Sequence, residues 1–159
     1  MKEMVVCFPL CGGKIILGKR KCPDRPWFGK LSGFGGRVEE GETPGQAQVR
    51  EFFEETGVRI REQDLILVGM ILLCLGGKEK MLYVYTVEHW EGTIVETDEM
   101  APEAFSITQI PFDRMVKGDD CWLSWILTGY YFEACLVRGK DLDELEKFEF
   151  THVSFMFWF

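Results

Sequence analysis

Apolar and polar positions along the chain predict a protein built mainly of β-strands. Short apolar runs rich in β-branched and aromatic residues are bounded by glycine, proline or charged residues, which is typical of strands. A Cys-Gly-Gly turn joins the first two runs and a Gly-Gly turn joins two later ones, which predicts two hairpins. The predicted strands cover residues 4–10, 14–18, 31–38, 64–75, 80–90, 103–110, 130–137 and 148–155.

One helix is strongly marked between the third and fourth of these strands. Thr43 is a good N-cap, Pro44 suits the first helical position, and Gln46 completes a capping box. Gly57 then supplies the left-handed residue that ends many helices. The sequence therefore predicts a helix from Thr43 to Gly57.

The rest of the chain predicts a single domain over residues 1–159. A second helix is expected from Asp119 or Asp120 to about Leu127, and the basic, Pro- and Gly-rich residues 19–30 are expected to form a loop. The sequence contains no repeat, low-complexity tract or linker. These features predict an α/β protein with a mixed sheet and two helices.

Composition and charge narrow the class of ligand. The 159 residues are 47% hydrophobic, which favours a folded core over disorder. The net charge of -8 argues against a nucleic-acid polymer as partner, since polymer binding relies on basic side chains that neutralise phosphates. A small anionic ligand accompanied by a divalent cation remains compatible with this charge.

Cysteine usage and hydropathy favour a cytoplasmic protein. The six cysteines show no C-x-x-C pair, so reduced, buried thiols are expected rather than a zinc site. No secretory leader is recognised, and no apolar stretch approaches the roughly 20 residues that span a bilayer. We therefore expect no membrane partner.

The C-terminal segment SFMFWF, residues 154–159, is almost entirely large and apolar. It could pad the sheet, form a self-association surface or close over a site. The expected state in solution is a monomer or a weak homodimer.

An acidic cluster lies on the predicted helix. At about 100° per residue, Glu51, Glu54 and Glu55 fall on one side of a helical wheel. Three close carboxylates repel each other unless a cation compensates them, and hard oxygen ligands suit Mg²⁺ or Mn²⁺. The cluster therefore indicates a cation site, with an apolar anchor on the opposite side formed by Val49, Phe52 and Phe53.

The spacing of these residues extends into a longer signature. Gly36, Glu42 and the run R-E-F-F-E-E-T-G-V from Arg50 to Val58 match G-x5-E-x7-R-E-U-x-E-E-x-G-U at every fixed position, U being bulky and apolar. This pattern resembles the box of the Nudix hydrolases. The resemblance implies an α/β/α sandwich around a mixed sheet, and hydrolysis of a nucleoside diphosphate linked to another moiety with divalent cations.

The same resemblance implies roles for the box residues. Mg²⁺, with Mn²⁺ as a substitute, would be held by Glu51, Glu54, Glu55 and the backbone carbonyl of Gly35. The general base would be Glu54, Glu55 or a loop carboxylate. Arg50 would orient a box glutamate, or else form an ordinary surface ion pair.

Residues before the box are candidates for phosphate binding. Gly33, Gly35 and Gly36 would let the backbone approach phosphate and metal, or would serve only as turn residues. Arg20 and Lys21 would hold phosphate, or would simply be solvated.

Three further segments resemble the MutT-homologue branch of the family, which hydrolyses oxidised purine nucleoside triphosphates such as 8-oxo-dGTP to the monophosphate and pyrophosphate. They are residues 31–43, 96–100 and 109–122. The resemblance implies that Glu99 approaches the metal and that Asp119 and Asp120 read the purine edge. Two close carboxyls can share a proton, so one can donate and the other accept. Alternatively, one aspartate caps the following helix.

This sequence departs from the branch near the base. Ser32 stands where the branch has asparagine, and Met115–Gly118 replaces the segment with the stacking tryptophan. The loop before the box is longer, and Trp27 or Phe28 could supply a replacement stacking surface or pack on the core.

Two alternative functions stay open. The same chemistry could act on a dinucleoside polyphosphate, a nucleotide sugar or an unmodified NTP, although the aspartate pair favours an oxidised purine. A non-catalytic nucleotide-sensing module would be expected to lose box carboxylates, and here Arg50, Glu51, Glu54 and Glu55 are all present.

Overall fold

A computed structural model describes residues 1–156 of the protein, and residues 157–159 lie outside the described part. The described part contains nine strands and one α-helix, α1 (Pro44–Thr56). The strands are β1 (Lys2–Cys11), β2 (Lys14–Arg20), β3 (Leu31–Ser32), β4 (Phe34–Arg37), β5 (Leu65–Leu75), β6 (Lys78–Val87), β7 (Met100–Ser106), β8 (Tyr130–Arg138) and β9 (Leu145–Phe155). Short 3-10 helices cover Glu62–Asp64, Phe112–Arg114, Asp119–Cys121 and Leu123–Leu127.

The strands form one mixed sheet, as predicted. Their order is β3-β2-β1-β6-β5-β8-β9, with β4 paired to β1 and β7 paired to β2. Strands β1 and β6 are parallel, as are β5 and β8, while the remaining neighbours are antiparallel. Since β1 pairs with β2, β4 and β6, it joins the two halves of the sheet.

The ends of α1 follow the predicted capping chemistry. The Thr43 hydroxyl accepts from the backbone N–H of Gln46, and the Gln46 side chain accepts from the backbone N–H of Thr43. Gly57 ends the helix in the left-handed region with φ of 76°. The predicted capping box and C-cap are thus confirmed.

Two apolar layers cover the two faces of the sheet. On one face, Val5 and Cys7 of β1 pack with Phe34 and with Phe52 of α1. On the other face, Phe8 packs with residues of the 3-10 segments and of β8. Because side chains alternate along β1, one strand contributes to both layers.

The predicted second helix is wrong as an α-helix. Residues 119–127 form two 3-10 segments, separated at Trp122 where the backbone φ is -132°. Gly118 precedes them with φ of 103°, and no side chain of Asp119 or Asp120 caps the segment. Burial of Trp122 and Leu123 against the sheet stabilises these short turns instead of a regular helix.

Other differences from the sequence predictions are local. The predicted strand 31–38 breaks into β3 and β4 at Gly33, and the strand predicted over 103–110 lies at Met100–Ser106. Of the six cysteines, Cys7 is buried, Cys11 is exposed and the others are half-buried, so the prediction of buried thiols is wrong for five of them. Within residues 1–156, no helix is long and apolar enough to cross a membrane.

The start of the C-terminal apolar segment continues the sheet. Ser154 and Phe155 end β9 and pair with the first residues of β8. The prediction for residues 157–159 lies outside the described part of the chain.

Candidate active site

A cavity of about 890 Å³ opens between β1, β4, α1, the loop after β2 and the end of β8. This volume lies within the range of small-molecule sites. Both acidic and basic side chains line it, although the protein as a whole is acidic. The charged lining residues are Arg20, Asp24, Arg25, Arg37, Glu39, Glu51, Glu55, Lys80, Glu99, Asp119 and Arg138.

Three carboxylates converge in this cavity. One oxygen each from Glu51, Glu55 and Glu99 lie within 4.8 Å of one another. Glu51 and Glu55 come from adjacent turns of α1, whereas Glu99 comes from the loop before β7. The fold thus brings a residue 44 positions beyond Glu55 to the helix.

Hydrogen bonds hold Glu55 and the loop of Glu99 in place. Glu55 is only 5% exposed, and its Oε1 accepts from the backbone N–H of Gly35 at 2.7 Å. The Thr97 hydroxyl donates to the backbone oxygen of Glu55 at 3.1 Å, and the same hydroxyl accepts from the backbone N–H of Glu99 at 3.3 Å. Thr97 therefore ties the loop of Glu99 to the end of the helix.

The charges in this cluster are poorly compensated by the protein. Burial, opposed by the Gly35 N–H and reinforced by Glu51 and Glu99, raises the pKa of Glu55 to about 8. Burial also raises the pKa of Glu51, although Arg50 opposes the rise. A partly buried set of hard oxygen donors with excess negative charge fits a divalent cation such as Mg²⁺ or Mn²⁺.

Arg50 connects the box residues. Its Nε and Nη2 donate to the two carboxylate oxygens of Glu42 at 2.8 and 2.9 Å, and Nη1 donates to Glu51 at 2.9 Å. Nη2 also donates to the backbone oxygen of Arg37 at 2.9 Å. The guanidinium lowers the pKa of Glu42. Arg50 thus fixes the orientation of Glu51 and also joins the loop to the helix.

Glu54 lies apart from the other two helix carboxylates. Its side chain is 44% exposed, and its Oε1 lies 3.5 Å from Nη1 of Arg50. The buried face of α1 differs from the predicted apolar face because it includes the polar Gln48. The Nε2 of Gln48 donates to the backbone oxygen of Phe34 at 2.9 Å. Phe53, predicted as part of the apolar anchor, is exposed beneath the Arg59 guanidinium.

Two glycines allow the strand to approach the helix. A Cβ on Gly35 would lie 1.9 Å from the backbone oxygen of Val5, and a Cβ on Gly36 would lie 2.5 Å from the carboxylate of Glu51. Both glycines and Gly33 line the cavity. Close packing, rather than a turn conformation, requires glycine at 35 and 36.

The residues before the box take different positions. Arg20 lines the cavity, and its Nε donates to the backbone oxygen of Pro26 at 3.1 Å. Lys21 instead forms a 2.7 Å ion pair with Glu96. Trp27 lines the cavity, whereas Phe28 is 55% exposed and is absent from the lining among residues 1–156.

The base-reading candidates are also separated. Asp119 and Ser32 line the cavity, and the Ser32 hydroxyl donates to the backbone oxygen of Gly33 at 3.0 Å. Asp120 is exposed and does not line the cavity in the described part of the chain. Burial raises the pKa of Asp119, the charge of Arg138 opposes this effect, and the charge of Asp120 reinforces it.

Sequence reasoning missed Arg138, which is 4% exposed and lines the cavity at the end of β8. A signal was present in the sequence. Phe132, Ala134 and Leu136 alternate as buried positions of β8, and Arg138 continues this period of two. An arginine in register with core residues indicates a buried charge with a specific role.

Asp119→Asn should remove a pH-dependent loss of stability. Burial raises the pKa of Asp119 to about 7, from an ordinary value of 3.8. Because the folded protein holds this proton more tightly than the unfolded chain, the stabilising contribution is complete below pH 3.8 and is lost as pH rises to about 7. The unfolding free energy of the wild type, relative to Asp119→Asn, should therefore fall by about 1–3 kcal/mol over that window.

Denaturant titrations of both proteins across about pH 4 to 9, without divalent cations, measure this difference. Asp120→Asn is the matched control because its side chain is exposed. A difference between wild type and Asp119→Asn that does not change with pH would contradict the prediction.

Comparisons with known proteins identify the family of this chain. A family model described as the NUDIX domain matches residues 1–126. The chain is 35% identical over 145 residues to an oxidized purine nucleoside triphosphate hydrolase of Danio rerio, covering 84% of this chain and 89% of that protein. A protein of the same name from Mus musculus is 35% identical over 117 residues, which are 72% of each chain.

Solved structures show the same fold. The crystal structure of a MutT protein from Bacillus halodurans matches with a TM-score of 0.79 at 21% sequence identity, covering 95% of this chain and 98% of that one. At this identity the likeness speaks for the fold alone. Since the NUDIX model covers more than half of the chain and two relatives match most of it, this protein belongs to the Nudix family.

Proposed function

We propose that this protein hydrolyses oxidised purine nucleoside triphosphates, such as 8-oxo-dGTP, to the monophosphate and pyrophosphate. The observation that carries the proposal is one continuous cavity with a carboxylate cluster at α1 and a separate polar group around Asp119. A triphosphate needs the first and a purine base needs the second. Relatives named oxidized purine nucleoside triphosphate hydrolases support this substrate class.

The proposed metal site consists of Glu51, Glu55 and Glu99, with Mg²⁺ as the cofactor and Mn²⁺ as a substitute. When bound, the cation neutralises phosphate charge and lowers the pKa of a bound water. The protein contributes the positioning of these ligands through Gly35, Thr97 and Arg50. We assign Glu54 a supporting role, because it is exposed and lies beside Arg50.

The chain's own residues account for the remaining chemistry. A water oxygen attacks the α- or the β-phosphorus, and the bond from that phosphorus to the oxygen that bridges the two breaks. The bridging oxygen stays on the other phosphorus, so that the products are the monophosphate and pyrophosphate. A carboxylate oxygen of the cluster accepts the proton of the water. Basic side chains that line the cavity, among them Arg20 and Arg37, can pair with the polyphosphate.

The test is hydrolysis of 8-oxo-dGTP beside dGTP, dATP, 2-oxo-dATP and a dinucleoside polyphosphate, with Mg²⁺ and with a chelator. The expected result is release of monophosphate and pyrophosphate from 8-oxo-dGTP, with kcat/KM at least about 10-fold above that for dGTP and complete dependence on the cation. Equal turnover of all triphosphates, or of the dinucleotide alone, would refute the substrate assignment. No turnover of any substrate would favour a nucleotide-sensing module.

A further inference from the structure

Arg138 is a buried charge that the proposed hydrolysis does not use. It ends β8, is 4% exposed and lines the cavity. Burying an arginine is unfavourable unless its charge and its five N–H donors are satisfied. Burial indeed lowers the pKa of Arg138.

The protein satisfies only part of this guanidinium. Nη1 donates to the backbone oxygen of Leu142 at 3.3 Å. This is the one hydrogen bond that the Arg138 side chain forms with residues 1–156. The guanidinium carbon lies 5.8 Å from the ring centroid of Trp27, and a Cβ on Gly118 would lie 3.1 Å from Nη2. The group is therefore held between the Trp27 ring and the backbone before Asp119, with donors left over for a ligand.

Trp27 provides a second, independent sign of a ligand. Of the non-glycine residues that the structure describes, it is the one with a positive φ, of 60°. Its indole Nε1–H is buried and has no hydrogen-bond partner in the described part of the chain. Strained backbone and an unpaired buried donor are both unfavourable, and both concentrate at binding sites.

Asp119 supplies the complementary group. It lines the same cavity, and the charge of Arg138 acts on it. No salt bridge joins the two among residues 1–156, so neither group satisfies the other directly. A donor and an acceptor that share a cavity without pairing suit a ligand edge that offers an acceptor next to a donor.

We propose that Arg138 and Asp119 together read a purine lactam: Arg138 donates to the carbonyl oxygen and the Asp119 carboxylate accepts from the adjacent ring N–H. This inference rests on the proposed function only in taking the bound base to be a purine. Adenine has no lactam. Oxidation at C8 creates one, because C8 becomes a carbonyl and N7 gains a hydrogen. Arg138 is thereby a specificity residue, and Asp119 acts with it rather than with the exposed Asp120.

The test compares two ligands that differ only in this lactam, 8-oxo-dAMP and dAMP. Their dissociation constants are measured by calorimetry on the full chain without divalent cation, for wild type, Arg138→Met and Arg138→Lys. The pH is about 8.5, where Asp119, with a pKa of about 7, is a carboxylate. Arg138→Met should weaken 8-oxo-dAMP by about 5- to 150-fold, and dAMP by less than about 2-fold. Arg138→Lys keeps the charge but loses the planar fork, and should fall between wild type and Arg138→Met.

The matched control is Arg114→Met, which makes the same change of charge in an exposed ion pair with Glu103. It should leave both affinities unchanged. Equal losses for the two ligands in Arg138→Met, or no loss, would overturn the inference. If Arg138→Met does not fold by circular dichroism, the same comparison is made with Arg138→Lys.

This binding experiment is independent of turnover. If wild type prefers 8-oxo-dAMP through Arg138 but hydrolyses no triphosphate, the lactam site stands and the proposed function fails. If wild type hydrolyses oxidised purines but Arg138→Met and Arg138→Lys keep the wild-type preference, the proposed function stands and the lactam site fails.

Discussion

Glu55→Gln should lower kcat/KM for the preferred triphosphate by about 10²- to 10⁴-fold, and Glu54→Gln by less than about 10-fold. The two residues are adjacent in the box, but Glu55 is buried beside Glu51 and Glu99, whereas Glu54 is exposed beside Arg50. Loss of a cluster carboxylate removes a ligand charge or a proton acceptor at the reacting water. Initial rates of pyrophosphate release with saturating Mg²⁺ measure both variants.

Glu55→Gln should lower activity without destabilising the folded protein. Glutamine keeps an oxygen that can accept from the Gly35 N–H, as Glu55 does at 2.7 Å. Since burial raises the pKa of Glu55 to about 8, its charge is unfavourable in the metal-free folded protein. Glu55→Gln should therefore unfold at the same temperature as wild type or higher. Equal losses of activity in Glu54→Gln and Glu55→Gln would contradict the assignment of the cluster.

The difference between Glu54 and Glu55 shows which features of α1 can be predicted from the sequence and which cannot. Local signals sufficed for α1, because the capping box and Gly57 act through residues within one turn. The rotation of the helix did not follow from the apolar pattern, because Gln48 and Glu55 occupy its buried face. Their burial depends on the backbone of β4, which accepts from Gln48 and donates to Glu55.

The cavity end around Asp119 was harder to predict for a similar reason. The resemblance located Asp119 but paired it with its neighbour in sequence, Asp120. Tertiary packing instead places Asp119 at the cavity with Arg138, which is 19 residues further on. The 3-10 geometry of residues 119–127 follows from the positive φ of Gly118 and from the burial of Trp122. A prediction from helix propensity takes neither of these features into account.

Gly35→Ala should destabilise the protein by about 3 kcal/mol or more, which corresponds to a drop in Tm of roughly 6–12 °C. The new Cβ would lie 1.9 Å from the backbone oxygen of Val5, its carbonyl carbon being 2.7 Å away. Backbone atoms of β1 cannot rotate aside, since β1 pairs with β4 on one side and with the parallel β6 on the other. Thermal unfolding followed by circular dichroism measures the effect.

Gly36→Ala should lower activity while leaving stability nearly unchanged. Its Cβ would meet the carboxylate of Glu51 at 2.5 Å, and that carboxylate is the far end of a flexible side chain. The variant should therefore keep a Tm within about 3 °C of wild type, yet lose about 100-fold or more in kcat because Glu51 leaves the cluster with Glu55 and Glu99. An active Gly36→Ala would show that the position of Glu51 is not required, and a Tm drop as large as that of Gly35→Ala would show that Glu51 cannot move. The first of these results would limit the catalytic role to Glu55 and Glu99, and the second would show that Glu51 stays in place at the cost of stability. The expected result assigns the close approach of β4 to the positioning of Glu51, a proposed metal ligand.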